Sequence, residues 1–182
     1  NMRWIAYRTF HQGRIFVVLR IGSQPPDERT LRARSGRQVP CEVRPELVLA
    51  PDIVRIRAQE LANWSHDRKI RSISNHFYNC VGMVFASRRD WIEIDHIYLL
   101  LEEDGYRKIH LNQAMIGDVV LYKLTDGAPS HVGLIVGIEN FGATPNIKVM
   151  SKWGRDAEFI HFIDDVPVQL GRASEYYTDR PL

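Results

Sequence analysis

Three side chains in this sequence are of the types that nucleophilic catalysis combines: Cys80, His131 and Ser151. Cys80 stands just ahead of the apolar run Val81-Gly82-Met83-Val84-Phe85-Ala86, which reads as the first turns of a buried helix. A thiol at that position lies among backbone N–H groups that have no intrahelical partner, at the positive end of the helix dipole. Both features favour thiolate over thiol. The competing reading is structural, because free cysteine is among the most buried residue types and one in an apolar helix is ordinarily inert core. A thiolate nucleophile also needs a base beside it and a group that orients the base. Of the seven histidines, His131 is placed best for this, at the start of the apolar strand His131-Val132-Gly133-Leu134-Ile135-Val136-Gly137. Gly133 shares its face of the strand and leaves room for another backbone or a helix to come close.

The elements that must position these groups are read from periodicity and turn chemistry. Residues 4–7 and 15–21 are strand-like runs around the turn His11-Gln12-Gly13, which predicts an initial hairpin. Residues 22–46 carry Gly22, Pro25, Pro26, Gly36, Pro40 and Pro45 and read as a loop. From Pro51-Asp52 the spacing of Ile53, Ile56, Leu61 and Trp64 predicts an amphipathic helix whose stripe covers the sheet. Asp95 is expected to cap a second helix carrying Ile97, Tyr98 and Leu101 and stopped at Gly105. The period then changes. Residues 118–124, 131–138, 146–153 and 158–163 are short β-rich segments between turns, the pattern of an antiparallel meander. The class expected is α+β, a Cys-bearing helix packed on a small antiparallel sheet with an N-terminal hairpin-and-helix extension.

Composition bounds the rest. A chain of 182 residues suits one domain with a modest extension, divided here as a basic extension over 1–50 and a main domain over 51–182. No run approaches the ~18 apolar residues of a membrane span. Arg8, His11 and Arg14 interrupt the apolar residues near the start, so no signal-peptide core is visible. A reducing, cytoplasmic setting is expected, with any export by a specialised route, as for an effector toxin. The two cysteines, Cys41 and Cys80, make no disulfide framework, and no Cys/His spacing suggests zinc; no metal or cofactor is expected. Residues 1–75 hold 14 Lys and Arg against 7 Asp and Glu, and the remainder 10 against 15. A basic segment on an acidic body suits an anionic partner, whereas scattered arginines equally suit a solvated face paired with the protein's own carboxylates.

Three blocks occur in order: Asn79-Cys80-x-Gly82, then Ile116-Gly117-Asp118-Val119-Val120-Leu121-Tyr122, then His131-Val132-Gly133-Leu134-Ile135-Val136-Gly137. Over roughly residues 76–163 they resemble the NlpC/CHAP branch of papain-like cysteine peptidases and amidases. The resemblance implies a papain-like, NlpC-like core, with Cys80 as nucleophile and His131 as the base that later protonates the leaving amine. It makes the Cys80 N–H the first oxyanion donor, with Tyr78 or His76 as the second and Asn79 beside them. The third position, on the strand after that of the histidine, falls on Ser151; Glu158 and His161 on the next strand are alternatives. Lys152 has only donors and faces the other side of the strand from Ser151. Where cell-wall members of the branch carry Asp-Cys-Ser, this chain has Asn79-Cys80-Val81, so the expected substrate is a peptide or protein amide. A thiol-dependent hydrolase is therefore the leading expectation. A deamidase or acyltransferase would use the same site, and the competitor from another class is a catalytically silent binding module.

Overall fold

The computed structural model describes residues 6–11, 14–19, 27–44, 51–64, 68–72, 74–141 and 144–181. The described chain is α+β, with antiparallel sheets and few helices. The expected hairpin is present as β1 (Ala6–His11) and β2 (Arg14–Leu19), although its turn residues 12 and 13 lie outside the described residues.

The stretch expected to be loop holds a second hairpin, β3 (Asp27–Arg32) and β4 (Gln38–Val43). Gly36, at φ 93°, makes its turn. Val39 and Cys41 alternate inward along β4 around Pro40, and the paired strands thereby bury an apolar face that the prolines and glycines concealed. Glu42 and Trp91 then exchange backbone bonds of 2.8 and 2.9 Å. Val39 and Cys41 belong to the same core cluster as Cys80, so the division expected at residue 50 does not divide that core.

Helix α1 (Pro51–Trp64) begins where the Pro-Asp start places it. Ile53 is half-buried but Ile56 is exposed, and the side chains of Leu61 and Trp64 lie outside the described residues. A short strand β5 (Lys69–Ile70) precedes α2 (Cys80–Phe85). Helix α3 (Ile97–Glu103) does not start at an Asp95 cap. Asp95 lies inside a 3₁₀ turn over Ile94–His96 that runs directly into the helix, and Gly105, at φ 77°, follows its end as expected.

The remaining strands are β6 (Arg107–Ile109), β7 (Val119–Lys123), β8 (Pro129–Phe141), β9 (Thr144–Lys152), β10 (Glu158–Phe162) and β11 (Arg172–Thr178). With β5 they form one seven-stranded sheet in the order β5-β10-β9-β8-β7-β11-β6. The expected meander β7 to β10 is its centre, and β11, which has no counterpart in the sequence reading, inserts between β7 and β6.

Both faces of the sheet are covered. Val119, Leu121 and Val132 point toward α2 and α3 and pack with Cys80, Val81, Ile97 and Leu100. Val120, Tyr122, Ile135 and Val149 form a second cluster on the opposite face. Each fully buried aliphatic or aromatic side chain of this kind contributes roughly 1.5–3 kcal/mol of transfer free energy. Among the described residues no helix is long and apolar enough to cross a membrane.

Candidate active site around Cys80

Asn79 fixes the start of the Cys80 helix. Its side-chain oxygen accepts the Gly82 N–H at 2.9 Å, and its amide nitrogen donates to the Ile92 carbonyl at 2.6 Å. The first bond satisfies a donor that a helix start leaves open, and the second ties the helix to the chain running toward α3. A carboxylate here would keep the first bond and set two oxygens against each other in the second, which accounts for Asn rather than Asp. Asn79 thus commits both ends of its side-chain amide to structural bonds. Asn79→Ala is expected to lower stability by about 2 kcal/mol, read by urea unfolding, because it removes the cap and strands the buried Ile92 carbonyl.

Cys80 packs with Leu121 and Val132 on the α2 face of the sheet. Strands β8 and β9 are paired from Leu134 and Met150 outward, leaving residues 131–133 of β8 without a ladder to β9. The Ile135 N–H points to the β7 side, toward the Asp118 carbonyl, so by alternation the Val132 N–H points to the β9 side. There it favours the Cys80 thiolate, helped by the N–H groups of Val81 and Cys80. Burial outweighs them and pushes the thiol up to about 11. The helix start does supply the N–H groups that the sequence promised, but a six-residue helix in a closed core does not hold a resting thiolate.

His131 arrives at the same level of β8 and turns the other way. The pairs Tyr122–His131 and Leu121–Val132 of β7 and β8 place alternate residues on opposite faces. Val132 meets Cys80, whereas the His131 ring lies 5.3 Å from that of Tyr122 on the second face. Burial, followed by the neighbouring His161, lowers His131 to about 3. Its Nε2 is buried with no hydrogen-bond partner among the described residues. No hydrogen bond joins either ring nitrogen to the Cys80 sulfur.

Ser151 shares the His131 face of the sheet but is engaged elsewhere. The His161 Nδ1–H donates to the Phe162 carbonyl at 2.8 Å, which leaves Nε2 as the acceptor of the Ser151 hydroxyl, also at 2.8 Å. Trp153 Nε1–H donates to Ser151 Oγ at 3.0 Å and completes the chain. Ser151 therefore orients His161, not His131. His161, one of the alternatives named for the third position, is the titratable neighbour of His131.

On the Cys80 side a second polar group replaces the expected oxyanion donors. Tyr78 donates its hydroxyl to Glu158 at 2.8 Å and is buried, so it is not free to meet an oxyanion. His76 packs against Phe77, with ring centroids 4.8 Å apart. Arg88 clamps Glu158 through Nε at 2.6 Å and Nη2 at 3.3 Å. It reaches there because Ser87 and Arg88 take left-handed backbone, φ 50° and 65°, as the chain leaves α2. Tyr78, Arg88, Lys152 and Glu158 form a group that sequence reasoning did not assemble; it had set Lys152 on the other side of its strand from Ser151 and named Glu158 only as an alternative to Ser151.

The basic residues 1–75 are partly neutralised inside the fold. Arg34 pairs with Asp179 at 2.7 Å and Arg37 with Glu103 at 2.9 Å. Arg44 pairs with Glu42 at 2.7 Å while its guanidinium covers the Trp91 ring at 3.7 Å. Among the described residues no cluster of three or more His, Cys, Asp or Glu side chains is placed to hold a metal ion. No family model, curated protein or solved structure matches this chain.

Proposed function

We propose that the chain is a papain-like, thiol-dependent hydrolase, a peptidase or amidase, with Cys80 as nucleophile and His131 as base. The observation that carries this is the unpartnered, buried Nε2 of His131, one residue along β8 from Val132, which packs in one cluster with Cys80. Buried polar atoms are nearly always paired, and an exception on a histidine one residue along the strand from Val132, which packs with Cys80, has a ready chemical reason. The ordered sequence blocks around the two residues supply the independent support.

In the reaction the sulfur bonds to the amide carbonyl carbon as the thiol proton passes to His131. The Cys80 N–H receives the oxyanion. Breaking the C–N bond returns that proton to the leaving amine, and water then cleaves the thioester to a carboxylic acid and the thiol. Ammonia as leaving group makes the same site a deamidase, and an amine in place of water makes it an acyltransferase. The resting arrangement is the uncharged one, thiol and imidazole each neutral through burial, and catalysis requires the His131 ring to leave the Tyr122 face of the sheet and reach the sulfur on the α2 face.

The burial of both groups and the engagement of Ser151 with His161 favour a second reading, a papain-like module that binds without catalysis. Iodoacetamide labelling of Cys80 across pH, in wild type and His131→Ala with Cys41→Ser in both, separates the two. If His131 reaches the sulfur and takes its proton, Cys80 is expected to label below the ordinary thiol value of 9.0 despite its burial, and to lose that labelling with His131. Labelling that climbs only toward pH 11 and ignores His131 would leave the silent module.

A further inference from the structure

Lys152 is fully buried, at the end of β9. On that strand Ser151 and Val149 face the second core, so Met150 and Lys152 face the α2 side. The Met150 sulfur lies 3.9 Å from the Arg88 guanidinium just beyond α2, and Glu158, paired with Lys152 across the ladder, holds Tyr78 and Arg88. The three donors of the Lys152 ammonium meet three backbone carbonyls. Asn75 O, at 2.8 Å, belongs to the segment entering α2; Gly154 O, at 3.0 Å, and Asp156 O belong to the turn between β9 and β10. The ammonium also lies 5.1 Å from the centre of the Tyr78 ring, two residues before Cys80.

A lysine is costly to bury, and a neutral residue with donors would tie two loops together at lower cost. Retaining the charge makes sense where a charge is needed. Resting on the reading of Cys80 as a nucleophile, we propose that Lys152 is the positioning residue of that site: it pins the chain entering the Cys80 helix to the β9–β10 turn and presents a fixed positive charge to the sulfur. Lys152 takes no proton and forms no bond in the reaction. Its charge opposes the effect of burial on the thiol, in the same sense as the three N–H groups around the sulfur.

The test is the pH profile of Cys80 alkylation in the full chain carrying Cys41→Ser, compared for Lys152, Lys152→Arg and Lys152→Gln. Gln keeps amide donors and drops the charge, while Arg keeps the charge. Lys152→Gln is expected to raise the labelling midpoint by about one pH unit, roughly tenfold slower labelling below it, with Lys152→Arg closer to wild type. A purely structural tie would alter stability in both variants without this charge-dependent order. An unchanged midpoint in folded Lys152→Gln overturns the inference. Should that variant not fold, the ¹⁵Nζ resonance of Lys152 is followed across the Cys80 titration in the parent and in Cys80→Ser. A step present only with Cys80 supports the coupling, and identical curves overturn it. The His131→Ala arm reports separately on the hydrolase: a profile that moves with His131 but not with Lys152 removes this inference and leaves the catalytic pair standing.

Discussion

Gly82→Ala is expected to cost about 3 kcal/mol, although alanine is the better helix former by roughly 1 kcal/mol. A Cβ at this position would stand 1.9 Å from the Asp90 carbonyl oxygen and 3.1 Å from the Tyr78 Cβ. The nearest obstacle is backbone, so no side-chain rotation relieves it. Relief requires α2 to move away from residues 90–92, and that movement breaks the bonds by which Asn79 holds the Ile92 carbonyl and caps the helix. Urea unfolding at neutral pH measures the loss. Gly137→Ala is the control, since a Cβ there would meet its nearest atom, the Lys148 Cβ, at 3.4 Å, and its cost should stay within about 1 kcal/mol. Equal stability of the two variants would mean that α2 and the Asp90 segment are not packed as described. In Gly82→Ala that remains folded, Cys80 should label faster, because the helix that buries the sulfur has been lifted.

That contact also shows which features were legible from sequence. Asn79, with a glycine three residues on and an apolar run between them, announces a helix start through local chemistry alone. The strands from β7 to β10 were legible for a similar reason, as short apolar runs between turns. Elements whose inward residues are not plainly apolar were hidden. Strand β11 points Glu175 inward, where Lys108 and Lys123 bind its carboxylate at 2.6 and 2.9 Å and help hold it down near 2, so its sequence looks like a surface segment. Strand β4 buries Val39 and Cys41 on either side of a proline that normally argues against a strand.

The candidate site was legible in its residue types and order, but not in which way its residues face. Period-two alternation places His131 and Val132 on opposite faces, and which of them meets α2 is decided by pairing with β7. Nothing within residues 131–137 reveals that choice. The same parity sends Ser151 to His161 and turns Lys152, set aside for its lack of an acceptor, toward the α2 side and the Tyr78 ring.

Acid is expected to destabilise the protein through His131 before its carboxylates titrate. The ring falls from an ordinary 6.5 to about 3 on folding, so the folded chain keeps it neutral while the unfolded chain protonates it. Its contribution is fully present above pH 6.5 and is lost progressively as pH falls toward 3. Between pH 7 and pH 5 the loss is about 2 kcal/mol, 1.36 kcal/mol for each unit below the unfolded value. His161 adds to it in the same direction, because burial also lowers that ring. Glu175 does not contribute in this window, since a carboxylate held near 2 loses its stabilisation only below its ordinary 4.5. Urea unfolding of wild type and His131→Gln at pH 7, 6 and 5 isolates the effect: the variant should be less dependent on pH by about the amount assigned to His131. Identical slopes would place the acid sensitivity elsewhere. The catalytic reading adds one requirement, since an imidazolium in so closed a setting persists only beside an anion. In protein alkylated at Cys80 that anion cannot form, and the His131 ring should remain neutral in NMR titrations down to the lowest pH at which the fold survives.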